Sequence, residues 1–252
     1  MLWAEKRNNE KKTMKKMLIV LLAGLLMLTA VACKKEDEKP VEEPVEAAQA
    51  ETMTGGWTPA ADYTVTEARK AIFDKGMAIL VGVDYTPVAY LGSQVVAGTN
   101  HAFLVKGSVV VPEAPVSYAL VYLYEDLSEN VKVLSIADLP IVPREDGTLA
   151  AVETGLMGGW AYAEDPTVTE EMAAKLEKAL EKNLGATYVP VANLGTQVVA
   201  GLNRCLLCQV TPVSPNGTPH YALIYVYEDL QGGATLTQVI DLDVGAYCTY
   251  GA

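Results

Sequence analysis

From Tyr118 to Tyr124 the chain alternates large and smaller apolar residues: Tyr118, Leu120, Tyr122 and Tyr124 are interleaved with Ala119, Val121 and Leu123. The same alternation returns in Tyr221, Leu223, Tyr225 and Tyr227, interleaved with Ala222, Ile224 and Val226. A period of two predicts strands, and here neither face is polar. One set is expected to meet a helix, and the aromatic set needs another cover. Two covers are open, sheet-to-sheet packing of two domains or a separate protein partner; the first is the working expectation. Further Tyr- and Val-rich strands are expected at about 85–95, 101–111 and 131–138, with counterparts 103 residues later. Met172, Leu176, Ala179, Leu180 and Leu184 instead follow helical spacing, and Ala68, Ile72 and Phe73 serve a similar face earlier. Thr64-x-x-Glu67 and Thr167-x-x-Glu170 read as the capping boxes that start these two helices.

The recurrence is general. Shifted by 103, residues 55–139 match residues 158–242 without a gap at 37 of 85 positions. A period this long marks a duplicated domain rather than a solenoid unit. Each copy reads as α+β, one helix packed on an antiparallel sheet of four or five strands. The expected domains are 55–140 and 158–252, joined by a short Pro/Gly-punctuated linker at 141–157.

What precedes residue 55 has a different pattern. Met17 to Ala32 is a 16-residue apolar run behind the basic Met14-Lys15-Lys16, too short to span a bilayer comfortably. It ends at Cys33, and Leu28-Thr-Ala-Val-Ala-Cys33 resembles the lipobox of bacterial lipoproteins. Residues 1–33 are therefore read as an export signal, with Cys33 as the lipidation site; a signal anchor with an incidental cysteine is the alternative. Met14 opens a complete signal of its own, so residues 1–13 read as an over-long start. Residues 34–54 are Glu- and Pro-rich without apolar periodicity, the composition of a disordered stalk. The resulting expectation is an exported protein, lipid-anchored to the outer face of the cell membrane, or to the outer membrane of a two-membrane cell.

Charge narrows the partners. From Cys33 onward there are 13 basic and 29 acidic residues. A surface of that sign repels phosphate backbones, which argues against nucleic-acid binding.

Gln94-Val-Val-Ala-Gly98 and Gln197-Val-Val-Ala-Gly201 carry a family resemblance. The motif resembles the first-hairpin motif of cystatins, and Ser93-Gln-Val-Val-Ala-Gly-Thr-Asn100 is similar to the stefin branch. Each copy has a glycine pair upstream of its helix, Gly55-Gly56 and Gly158-Gly159. The resemblance implies two cystatin-like domains that inhibit papain-like cysteine proteases reversibly and without covalent chemistry. It also implies a three-part wedge for the protease cleft. The first would be Gly55, Gly56, Gln94, Val95, Val96, Ala97, Gly98 and the second hairpin at about Asp126 to Asn130 with Leu127. The second would be Gly158, Gly159, Gln197, Val198, Val199, Ala200, Gly201 and the hairpin at Asp229 to Gly233 with Leu230. The glycines suit tight turns and close approach, and the valines put stiff apolar side chains at an exposed edge. Where the family carries Leu-Pro or Pro-Trp, this chain has Leu127-Ser128 and Leu230-Gln231, and the Gln231-Gly232-Gly233 tip reads as floppy. The alternative reading is a non-inhibitory surface lipoprotein that uses the same domains as protein-interaction modules.

Other chemistry finds little support. Cys205-Leu-Leu-Cys208 has metal or redox spacing, but on a strand residues three apart face opposite ways. Ala102 and Val105 occupy the same places in the first copy, which favours plain filler. The two histidines, His101 and His220, have no histidine counterpart in the other copy, and no Ser-His-Asp or Cys-His pairing repeats. No enzyme, metal or cofactor is expected.

Overall fold

The computed structural model describes residues 55–109, 115–153 and 155–249. They belong to one compact unit. The signal at 1–33, Cys33 and the stalk at 34–54 lie outside the described residues.

Each copy of the repeat forms a five-stranded antiparallel sheet and one helix. The first comprises β1 (Trp57–Pro59), α1 (Glu67–Met77), β2 (Val83–Val96), β3 (Gly98–Val109), β4 (Ser117–Glu125) and β5 (Val131–Asp138), with the strands side by side in chain order. A short hairpin of β6 (Val142–Pro143) and β7 (Leu149–Ala150) follows. The second copy comprises β8 (Trp160–Tyr162), α2 (Glu170–Leu180), β9 (Ala186–Val199), β10 (Gly201–Pro212), β11 (His220–Glu228) and β12 (Ala234–Leu242), again with neighbours in chain order. A 3-10 turn, Val244–Tyr247, comes after it.

The helices begin two residues later than the capping boxes suggest. Thr66 and Thr169 are the N-caps, accepting from the amides of Arg69 and Met172. The reason lies just upstream. Asp62 and Asp165 accept from the amides of Thr64 and Thr167 at 2.8 and 2.9 Å, which spends those residues on a preceding turn. Hydrogen bonding by the Thr64 and Thr167 side chains, and then by these amides, also holds both carboxyls below their usual titration range. Each helix lays a narrow stripe on its sheet. Phe73 packs edge-on against Phe103 with ring centroids 5.3 Å apart, while Leu176 joins Leu206, Ile224 and Val226. Leu184 lies beyond the end of α2 and is exposed, so it is no part of the stripe.

The opposite sheet faces meet each other. One buried cluster combines Leu91, Leu104, Tyr118, Leu120 and Tyr122 with Leu194, Leu207, Tyr221, Leu223 and Tyr225. The tyrosine hydroxyls need acceptors there, because an unpaired buried hydroxyl costs about 1–3 kcal/mol. They find them across the seam. Tyr118 donates to Ala163 at 2.9 Å, Tyr225 to Ile141 at 3.0 Å, and Tyr122 to the carbonyl of Val244. Tyr162 donates to Leu139 at 2.8 Å, and burial pushes its phenol up to about 12.

The linker belongs to this core. Leu139 and Ile141 are fully buried, Leu149 and Val152 pack beside them, and the Arg144 carbonyl accepts from Gln238 at 3.1 Å. A boundary at 140/141 therefore runs through a packed segment, not a free tether.

Candidate functional site

Strand pairing brings three segments of the first copy to one end of its sheet. Trp57 lies opposite Gln94, so the Gly55-Gly56 segment runs alongside the approach to the turn. Val96 pairs with Gly98 across that turn. Thr99 and Val131 flank Glu125 from either side, so the loop from Asp126 to Asn130 opens at the same end. The second copy repeats the arrangement, with Trp160 opposite Gln197, Val199 opposite Gly201, and Leu202 and Ala234 flanking Glu228.

Side-chain hydrogen bonds stiffen each end. Gln94 donates to the Gly55 carbonyl at 2.8 Å and accepts from Asn100 at 2.7 Å. Gln197 does the same between Gly158 and Asn203, at 2.9 and 2.8 Å. The motif glutamine is thus a strut between the glycine segment and the strand beyond the turn. Tyr124 and Tyr227 donate to the turn carbonyls of Ala97 and Ala200, the second at 2.6 Å. Gly98 and Gly201 have φ of 122° and 129°, and a Cβ would lie 2.3 and 2.4 Å from the carbonyls of Glu125 and Glu228. No other residue type fits there.

The second hairpins are tied by aspartates. Asp126 accepts from the amides of Ser128 and Asn130 at 2.7 and 2.9 Å, and Asp229 from those of Gln231 and Gly233, both at 2.8 Å. Hydrogen bonding holds both carboxyls below their usual range, through Asn130 in one and the amides of Gly233 and Gln231 in the other. The Gln231–Gly233 tip, read as floppy from its composition, is hydrogen-bonded. Besides Asp229, Lys175 of α2 donates to the Gly232 carbonyl at 2.8 Å.

These stiff ends present apolar surface. Val96 and Val199 are 41% and 43% exposed, and Leu127 and Leu230 are 86% and 78% exposed. Val95 and Val198 are exposed as well. Gly55, Gly56, Gln94 to Gly98 and Leu127 therefore share one end, and Gly158, Gly159, Gln197 to Gly201 and Leu230 share another. Sequence reasoning missed the supporting roles of Asn100, Asn203, Tyr124, Tyr227 and Lys175. All but Lys175 recur at the repeat interval, which was the available signal.

Behind the turns the two copies differ. Nδ1 of His101 lies 3.0 Å from the Tyr90 hydroxyl and Nε2 lies 3.2 Å from Glu125, at the base of the second hairpin. Desolvation pulls this imidazole down, Glu125 opposes that pull, and Arg69, stacked 4.1 Å over the Tyr90 ring, adds to it. In the second copy Arg204 donates to Glu228 at 2.7 Å and to Asn193 at 3.4 Å.

Cys205 packs into the shared core and Cys208 under the helix, on opposite faces of β10. Burial pushes the Cys205 thiol up to about 12 and raises Cys208 as well. His220 faces Asp241 at 3.3 Å. Among the described residues no group of three His, Cys, Asp or Glu side chains is arranged to hold a metal ion, and no helix is long and apolar enough to cross a membrane. No protein-family model matches the chain, and no curated protein matches it.

Proposed function

We propose that this chain is a reversible, non-covalent inhibitor of papain-like cysteine proteases, with a cystatin-like domain in each copy of the repeat. The observation that carries the reading is the alignment, twice over, of a glycine segment, a QVVAG turn and a leucine-tipped hairpin along one sheet end. The element order of each copy, with its five strands in chain order and its helix between the first two, agrees with the family resemblance. Binding works by occlusion. Three rigid segments enter a cleft together, and the exposed valines and leucines lose water to the enzyme walls. Little ordering is left to offset, because Gln94, Asn100, Tyr124 and Asp126 already hold the segments in place. An inhibitor interface of standard size buries about 800 Å² per partner. We also propose that residues 1–33 direct export and that a lipid on Cys33 holds the domains outside the cell.

A papain titration with the chain from Gln49 onward tests this reading. Inhibition that is reversed on dilution and leaves the catalytic cysteine unmodified is expected. Undiminished turnover with inhibitor in large excess over enzyme would instead favour a non-inhibitory interaction module.

A further inference from the structure

The two copies are packed head to tail. Tyr122 lies near the turn end of the first sheet, yet its hydroxyl reaches the carbonyl of Val244, just past the far end of β12. Tyr225, near the turn end of the second sheet, reaches Ile141, just past the far end of β5. The two pairs are the same contact displaced by the repeat interval. Other contacts across the seam follow the same rule. Gln209, far from its own turn, donates at 2.6 Å to Ala60 beside the leading strand of the first copy. Trp57, level with Gln94, lies so close to Gly245 that a Cβ there would be 2.8 Å from its ring. In every case the turn side of one sheet meets the far side of the other. A two-fold-like rotation therefore relates the copies, and the QVVAG turns sit at opposite poles. Summed along the paired strands, the turns are about fifteen residue levels apart, roughly 50 Å at ~3.3 Å per residue.

The geometry points to a two-headed protein that holds two protease molecules at once, one at each pole, and bridges them. This rests on the inhibitor reading above and goes beyond it in stoichiometry and arrangement. A globular enzyme of about 200 residues has a radius of gyration near 17 Å, roughly 40 Å across, so a partner at one pole leaves the other clear. The shared tyrosine core keeps the heads opposed, since turning one toward the other would break the buried hydroxyl bonds. Both heads cannot grip neighbours on one flat surface. The second head thus adds a partner rather than avidity.

A sandwich measurement tests this. Papain with its active-site cysteine blocked is coupled sparsely to a sensor, the full chain is captured in detergent, and a second pulse of blocked papain follows. The expected result is a second mass step equal to one enzyme per captured chain. Val96→Glu and Val199→Glu, each at an exposed position, should keep capture and lose the second step, and the double variant should lose capture. Capture by the parent chain without a second step, in a preparation that does inhibit papain, would overturn the bridging arrangement and leave the inhibitor reading standing. Absence of both capture and inhibition would overturn the two together.

Discussion

Tyr225 and Ile141 are 84 residues apart in the chain, and they meet through a buried 3.0 Å hydrogen bond from phenol to carbonyl. The bond joins β11 of the second copy to the segment that leaves the first sheet, so neither copy completes its core alone. Tyr225→Phe should keep the packing and lose about 1–3 kcal/mol, because the Ile141 carbonyl is left buried without a donor. Tyr225→Ala should cost more, about 3–5 kcal/mol. In scanning calorimetry the parent should melt in one transition that involves both copies. Two separated transitions would contradict a shared core.

The turn glycines are the most sensitive positions at the poles. Gly98→Ala places a Cβ 2.3 Å from the Glu125 carbonyl at a φ of 122°. The turn must shift, at a cost of roughly 1–3 kcal/mol. Urea denaturation should report that loss. Papain binding should weaken at the first pole and stay unchanged at the second.

A comparison of the two copies exposes one strained residue. Glu129 has φ of 61°, where the second copy has Gly232 at 84°. A side chain in this left-handed region costs about 1–2 kcal/mol, partly offset by the extra entropy that glycine loses on folding. Glu129→Gly should therefore raise stability by roughly 0.5–1 kcal/mol, seen as a higher urea midpoint with unchanged slope.

His101 should make the protein acid-sensitive. Desolvation outweighs Glu125 and lowers its pKa below 6.5 in the folded state, so the unfolded chain takes up the proton first as the pH falls. Stability present above about pH 6.5 is then lost as the pH falls through the folded-state value. His101→Gln should flatten the dependence of the melting temperature between about pH 7.5 and about pH 5. Arg204 at the equivalent place donates to Glu228 and Asn193, so substituting it should lower stability by removing both bonds.

Thiol reactivity checks the placement of the cysteines. With their thiols buried and raised in pKa, Cys205 and Cys208 should resist a thiol-specific reagent until the unit unfolds. Partly exposed Cys248 should react in the native protein. Fast reaction of all three would mean that the core opens readily.

Much of this was legible along the chain, because local physics writes it there. Alternation of large and small apolar residues marks a strand wherever it occurs, and a motif repeated at 103 residues marks a duplication. The α+β class, the strands and the two helices follow from such patterns. Their details depended on neighbours. Strand ends moved by up to three residues, and the helix caps passed from Thr64 and Thr167 to Thr66 and Thr169 because Asp62 and Asp165 captured the earlier amides. Leu184 fits the helical spacing but lies outside α2, since spacing does not say where a helix stops.

Other features had no local signature. That Gln94 braces Gly55 and Asn100 depends on strand register, which joins residues distant in sequence. The tyrosine rows announced that they need cover, but alternation carries no direction. Only the packed core, with hydroxyls seeking carbonyls across the seam, turned the two copies head to tail and sent their QVVAG turns to opposite ends.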